Sequence, residues 1–366
     1  MMDLINFVFY RGRVGLYALL KALGVEPGDQ VAVQAFTCLA VPEGVIASGA
    51  SPLWVDVEPD GFNMDPEDLR RKLTHNTKVI IVQHTYGIPA DMKSIMAIAE
   101  EHGIPVIEDC AHTLISRYHG RRTGTFGVAA FYSYEWGKPV VAGVGGSVII
   151  NDKDLEDKMR SLYRKFYNPP LLNRLRITLQ YYGFNIIYRP MFYWPVRSIF
   201  HFLSALGIAE GNYNPVTEAQ EAEDFSWRMA PETAARLKRK LPYVQEWAKH
   251  SRRVVEQYRQ GIRSSSVVHP TDLPGVDPVF VRYPLRVPNK VQLLRQARKR
   301  QIELSDWYAT PIHPLSGAEL RSVFYEPGSC PNAERRAREV VTLPTHTRVT
   351  SRDIARTIQF FNEVFS

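Results

Sequence analysis

The chain is expected to fold as an α/β protein with a mainly parallel sheet covered on both faces, followed by a smaller α+β domain. Three observations carry that expectation. Short β-rich runs alternate with helix-like segments through the first part of the chain, Pro and Gly punctuate them as turns, and the 366 residues are 45% apolar and 23% charged. That balance is ordinary for one large or two medium globular domains and excludes disordered and fibrous classes.

Taken in order, Val14, Leu16, Tyr17, Leu19, Leu20 and Leu23 follow helical spacing, and the segment closes at Gly24 before the turn Pro27-Gly28-Asp29. Strand runs then fall at 30–35, 52–57, 78–83, 105–108, 129–134 and 146–150, with helices at 38–48, 65–73 and 91–102 between the first four. A charge-rich helical stretch covers 231–262, strand candidates lie near 278–286, and a final helix starts at Ser351. The division is placed near residue 240, giving a large domain over 1–240 and a small one over 241–366.

Composition narrows the function classes. A net charge of +7 is too weak over this length to argue for nucleic-acid binding unless it is concentrated. Cys38, Cys110 and Cys330 are three cysteines without CxxC or Cys/His spacing, so neither a disulfide scaffold nor a metal module is expected, and a reducing cytosolic compartment is the default. Cys110 and Cys330 read as small buried apolar residues. No apolar run reaches the roughly 18 residues a bilayer-spanning helix needs, and Asp3 stands where a signal peptide would be basic.

The charge is concentrated in one place. Residues 158–209 contain eight Lys or Arg, no Asp or Glu, and a dense set of aromatics. One reading is a dimer or domain interface in which arginines snorkel to solvent or meet a substrate diphosphate. Another is peripheral attachment to an anionic membrane at its inner face. Nucleic acid is not expected, because no groove-reading motif accompanies the charge.

The chemistry is sharpest at Ile107-Glu108-Asp109-Cys110-Ala111-His112, leaving a strand at its carboxyl end, where open α/β sheets bind ligands. Then comes Phe131-Tyr132-Ser133-Tyr134-Glu135-Trp136-Gly137-Lys138-Pro139, leading to Gly143-Val144-Gly145-Gly146. Lys138 sits among aromatics and glycines rather than in a basic cluster, and desolvation is what makes a lysine nucleophilic enough for Schiff-base chemistry. Ser133, at a strand end, offers a hydroxyl to a phosphate. A carboxylate, such a lysine and phosphate donors are the parts a pyridoxal 5'-phosphate (PLP) enzyme requires. His84, before a Tyr-Gly-Ile-Pro turn, reads as structural.

These residues also carry a resemblance. Arg11-Gly12-Arg13-Val14, Ala35-Phe36-Thr37-Cys38, Trp54-Val55-Asp56-Val57, His84-Thr85-Tyr86-Gly87-Ile88-Pro89-Ala90-Asp91, Glu108-Asp109-Cys110-Ala111-His112, Ser133 with Lys138, Gly143-Val144-Gly145-Gly146 and Leu343-Pro344-Thr345-His346 occur in this order. Together they resemble the sugar aminotransferases called DegT/DnrJ/StrS. The resemblance implies the PLP-dependent transferase fold type I, a large domain around a seven-stranded mixed sheet with a small C-terminal α+β domain, and a homodimer with active sites at the subunit interface. It also implies that Lys138 is the Schiff-base lysine and proton carrier, Asp109 the partner of the pyridine nitrogen, and Ser133 a phosphate ligand. His112 would pack near the ring hydroxyl. Arg13 and Val14 fall where a small motif offers backbone N–H groups to the phosphate at a helix N-terminus.

Departures are visible at the same sites. Arg13 would add a cation, Cys38 replaces the aromatic commonly stacked on the ring, Ser226 stands where a partner-subunit Asn is usual, and the family's usual N-terminal segment is missing. His313, in Thr310-Pro311-Ile312-His313, resembles a substrate-side position. The activity so implied is transfer of an amino group, from glutamate, to the keto group of a nucleotide-linked sugar by ping-pong kinetics, in surface polysaccharide or amino-sugar synthesis. A cyclitol or other ketone as acceptor, and a PLP-binding sensor or scaffold without turnover, are the rival readings.

Overall fold

In the computed structural model, residues 6–205 and 223–366 are described. Seven strands form one sheet: β1 (Phe7–Phe9), β2 (Gln30–Gln34), β3 (Ser51–Val55), β4 (Thr77–Gln83), β5 (Val106–Asp109), β6 (Ala129–Ser133) and β7 (Gly146–Ile150). Their order is β1-β7-β6-β5-β4-β2-β3. Strands β2 to β6 pair in parallel, while β7 runs antiparallel to both β6 and β1. The expected seven-stranded mixed, mainly parallel sheet is therefore the observed one. Its central strands, such as Thr77-Lys78-Val79-Ile80-Ile81-Val82-Gln83, are near-continuous apolar runs because helices cover both faces.

Helices α1 (Gly12–Ala22), α2 (Ala40–Ala47), α3 (Pro66–Lys72), α4 (Met92–His102) and α5 (Lys153–Tyr163) connect or flank these strands. Local chemistry sets their ends. Asp91 caps α4 by accepting from the Ser94 N–H at 3.2 Å, and Gly103 ends it with a φ of 64°, which glycine adopts without a Cβ penalty. The basic aromatic segment starts within α5 and continues through α6 (Leu171–Ile187) and α7 (Tyr193–Ala205), and its residues 206–209 lie outside the described ones.

The charge-rich stretch becomes two helices, α8 (Pro231–Lys240) and α9 (Val244–Gly261), with a tight turn at Leu241–Tyr243. After them come β8 (Arg282–Arg286), α10 (Lys290–Lys299), α11 (Pro331–Glu339), β9 (Val340–Pro344) and α12 (Ser351–Val364), with β8 and β9 antiparallel. A separate apolar cluster fills this region, including Val254, Tyr258, Tyr283, Leu285, Leu293, Leu343, Ile354 and Phe361. Helix α9 joins the cores: Val244, Trp247 and Ala248 pack with Leu114 and Tyr132, whereas Val254, Val255 and Tyr258 pack in the C-terminal cluster. Among the described residues, no helix is long and apolar enough to cross a membrane.

Candidate active site

A cavity of about 800 Å³ opens at the carboxyl edge of the parallel strands. Gln83 at the end of β4, Asp109 at the end of β5 and Ser133 at the end of β6 line it, together with Cys38 just beyond β2. Parallel strands bring their carboxyl ends to one edge, so residues distant in sequence meet there. Lys138, in the loop between β6 and β7, also lines the cavity, and its Nζ lies 4.8 Å from the centroid of the Trp307 ring.

Asp109 is buried, and its Oδ1 accepts from the Ala111 N–H at 2.9 Å. The other carboxylate oxygen has no hydrogen-bond partner among the described residues. Burial pushes this carboxyl up from its ordinary value, while the Ala111 N–H and the Lys138 charge pull it down. A buried carboxylate facing a cavity with half its lone pairs unanswered is built to meet a cation or an N–H donor.

Glu108, one residue earlier, points to the opposite side of the strand and is fully answered. It accepts from the N–H groups of Gly124, Phe126 and Gly127 at 2.6, 2.6 and 2.9 Å and pairs with His84 Nε2 at 3.0 Å. His84 Nδ1 in turn accepts from the Ala90 N–H at 3.1 Å. The structural reading of His84 agrees with this closed network. Glu108, His84 and Cys110 lie close enough together to suggest a metal site, but the Glu108 oxygens and both His84 nitrogens are spent on hydrogen bonds.

His112 is buried beside the cavity, with Nδ1 accepting from the Tyr86 N–H at 3.1 Å and Nε2 lying 3.3 Å from the Tyr308 hydroxyl. An accepting Nδ1 fixes the neutral Nε2–H tautomer. Burial first, and the Lys138 charge second, hold its pKa well below the usual imidazole range. Its ring is sandwiched among Tyr86, Trp307 and Tyr308.

The N-terminus of α1 meets the end of β6. A Cβ on Gly12 would sit 3.3 Å from the Ser133 Cβ and the Tyr132 carbonyl, so glycine permits this close approach. Arg11 at the N-cap makes no capping bond, and the first turn has no acidic residue. That leaves the first-turn N–H groups and the positive end of the helix for an anion.

The remaining expected residues are placed as follows. The Val14 side chain is in the core and only its backbone belongs to the helix end. Arg13 borders the cavity, but its guanidinium pairs with Asp224 at 2.8 Å and Glu43 at 3.4 Å, so its charge is already met. Cys38 and His313 are brought together, paired in a short parallel ladder of Thr37–Cys38 with Ile312–His313. Burial pushes the Cys38 thiol up to about 11, keeping it neutral.

Several residues of the site were not visible in the sequence. Trp307 over Lys138 belongs to no motif, and Arg348, which donates to Asn185 Oδ1 at 2.6 Å, follows Leu343-Pro344-Thr345-His346 without a signal of its own. The inner sides of α6 and α7 roof the cavity through Phe184, Val196 and Phe200, with Tyr188 from the turn between them. That roof is tied down by Tyr188 to Glu303 at 2.8 Å, Trp194 Nε1 to the Ile302 carbonyl at 2.8 Å, and Arg197 to Asp306 at 3.1 Å.

This architecture has known counterparts. The model of the DegT/DnrJ/EryC1/StrS aminotransferase family matches residues 9–192 and 194–362. The chain belongs to that family. A pleiotropic regulatory protein of Geobacillus stearothermophilus is 31% identical over 91% of the chain and 77% of its own length. The dTDP-3-amino-3,4,6-trideoxy-alpha-D-glucose transaminase of Streptomyces venezuelae is 28% identical over 91% of the chain and 76% of its own length. Other curated relatives align over only about 40% of their length, as in the GDP-perosamine synthase of Escherichia coli O157:H7, where the figure is 40%. Among solved structures, that of S. venezuelae DesV superposes with a TM-score of 0.76 at 25% identity, covering 98% of the chain and 84% of its own.

The family depends on PLP, and structural neighbours have been solved in PLP and PMP forms. The residues fit that cofactor. Asp109 has an oxygen unanswered among the described residues for the pyridine nitrogen, Lys138 supplies an amine in the same cavity, and Ser133 beside the uncapped α1 N-terminus offers a hydroxyl and backbone N–H groups to a phosphate.

Proposed function

We propose that the protein is a PLP-dependent aminotransferase that moves an amino group, from glutamate, to the keto group of a nucleotide-linked sugar. The observation that carries this reading is the placing of Lys138 and Asp109 on one cavity beside Ser133 and the α1 N-terminus. When bound, PLP supplies an electron-withdrawing ring and a carbonyl that exchanges amino groups with substrates. Asp109 would hold the pyridine nitrogen protonated, and the Lys138 amine would take a proton from one carbon and return it to another. Neutral His112 would pack at the ring edge without adding charge. Trp307 and the α6–α7 roof exclude water from the proton being moved.

Donor and acceptor would use the same cavity in turn, which gives ping-pong kinetics. Arg348 and Lys240 border the cavity without a carboxylate partner among the described residues and suit a sugar diphosphate. Surface polysaccharide or amino-sugar synthesis, a cytoplasmic site and a homodimer complete the reading. The deciding experiment is a screen of nucleotide-linked keto sugars with glutamate, scored by 2-oxoglutarate release. Turnover with at least one of them is expected, and a preference for a cyclitol ketone would replace the sugar.

A sensor without turnover is the second reading, favoured by the regulatory name of the G. stearothermophilus relative. Visible absorbance of the PLP-loaded protein separates the two. Bleaching by glutamate supports transfer, and a spectrum that no amino donor changes supports the sensor.

A further inference from the structure

We propose that the outer face of α6 and α7 lies on an anionic lipid surface, so that the cavity roof doubles as a membrane contact. Leu171, Leu175, Leu179, Tyr182 and Ile186 recur at intervals of three and four, which places them in one stripe along α6. All are exposed, Leu179 by 74% and Ile186 by 75%. Phe202 continues the exposed apolar surface on α7. Soluble proteins rarely leave so much contiguous apolar surface in water without a partner.

Looseness does not explain the exposure, because the opposite sides of the same helices are fixed. Ile177 and Tyr181 are buried, and Tyr188, Trp194 and Arg197 are bonded to residues 302–306. The stripe is therefore presented outward by a rigid support.

Charge selects the occupant. Between 158 and 209 there are eight Lys or Arg and no Asp or Glu, and four of the cations, Arg174, Arg176, Arg189 and Arg197, lie on α6, α7 and the turn between them. The carboxylates that Arg174 and Arg197 meet, Glu232 and Asp306, come from other parts of the chain. A twofold contact between two copies would set this face against itself, and α6 and α7 carry no Asp or Glu to meet the arginines of the other copy. Lipid phosphates suit such a face, while Leu, Ile, Tyr and Phe side chains enter the headgroup region. This inference does not depend on the proposed reaction, since binding is read without turnover.

The test is co-sedimentation of the full PLP-loaded chain with vesicles of phosphatidylcholine alone or mixed with phosphatidylglycerol. Binding to the anionic vesicles only, released by high salt, is expected. Leu175→Glu with Leu179→Glu, neither of which borders the cavity, should reduce the bound fraction by about fivefold or more with the Tm and the absorbance of the loaded protein retained. Arg176→Glu with Arg189→Glu should weaken binding to anionic vesicles if the leucine variant fails to fold. Protein that stays in the supernatant with anionic vesicles at low salt overturns the proposal. If, in addition, the leucine variant splits a wild-type dimer in light scattering, the face belongs to a second copy.

Discussion

Lys138 is the residue on which the proposed chemistry turns, because one amine would serve as both cofactor anchor and proton carrier. Lys138→Ala is expected to abolish transamination with the fold intact, and single-turnover 2-oxoglutarate release beside circular dichroism checks both halves. Asp109 trades stability for function. Its carboxyl is raised by burial, so the stabilisation it gives is complete at low pH and is lost as pH rises through its folded-state value. Asp109→Asn should therefore leave the Tm of the cofactor-free protein at neutral pH equal or higher, while turnover falls severely because the pyridine nitrogen loses its anionic partner. An unchanged kcat would remove Asp109 from that role. Glu58 shows the same effect away from the site. Burial, with Asp91 and Asp65 nearby, raises it to about 7 from 4.5. Its stabilising protonated form is favoured in the fold below about pH 4.5, and that contribution disappears as pH rises through about 7. Glu58→Gln should stabilise the protein at pH 8 by at most about 3 kcal/mol and change it little at pH 4.5. Thermal melts at the two pH values decide.

At the scale of elements, the joint between α1 and the sheet controls the anion end of the site. A Cβ on Gly146 in β7 would come 2.5 Å from the Arg11 backbone and the Gly12 Cα, and backbone cannot swing aside as a side chain can. Gly146→Ala is expected to cost about 1–3 kcal/mol and to weaken PLP binding, measured by melting and by cofactor titration. Much of this architecture was legible in sequence. The runs at 78–83 and 129–134 became β4 and β6 because buried parallel strands are apolar throughout and cannot be mistaken for amphipathic helices. Helix α4 was bounded by Asp91 and Gly103, both of which act locally. Phe7–Phe9 was missed as a strand because three residues carry no period, and its pairing with β7 is set by contacts more than 130 positions away. That Lys138, Asp109 and Ser133 share one cavity was foreshadowed by their order along the chain and the strand ends that precede them. Trp307 was not, since its place over Lys138 is decided by packing between distant segments. The ion pairs that occupy Arg13 were likewise hidden, because Glu43 and Asp224 are partners in space and not in spacing.

For the whole molecule, the cofactor is also a stabilising ligand. Any group bound only by the folded state raises stability by mass action, about 2.7 kcal/mol at a hundredfold excess over Kd. Removing PLP from the purified protein should lower its Tm, and adding PLP back should restore it in a concentration-dependent way, with a smaller gain for Asp109→Asn than for wild type. An identical melt with and without PLP would show that the fold makes no use of it. The cavity also has a consequence in time. Its wall runs from Gly12 through Lys138 to Trp307 and Arg348, so a chain still being synthesised holds the amine long before the indole that covers it. Until the ribosome has passed Trp307, Lys138 would lack that cover, and an aldehyde cofactor arriving then would meet a nucleophile without its shelter. On the proposed reading, capture of PLP in its working geometry would have to wait for Trp307, and a truncated product ending before residue 307 would carry the lysine without the site.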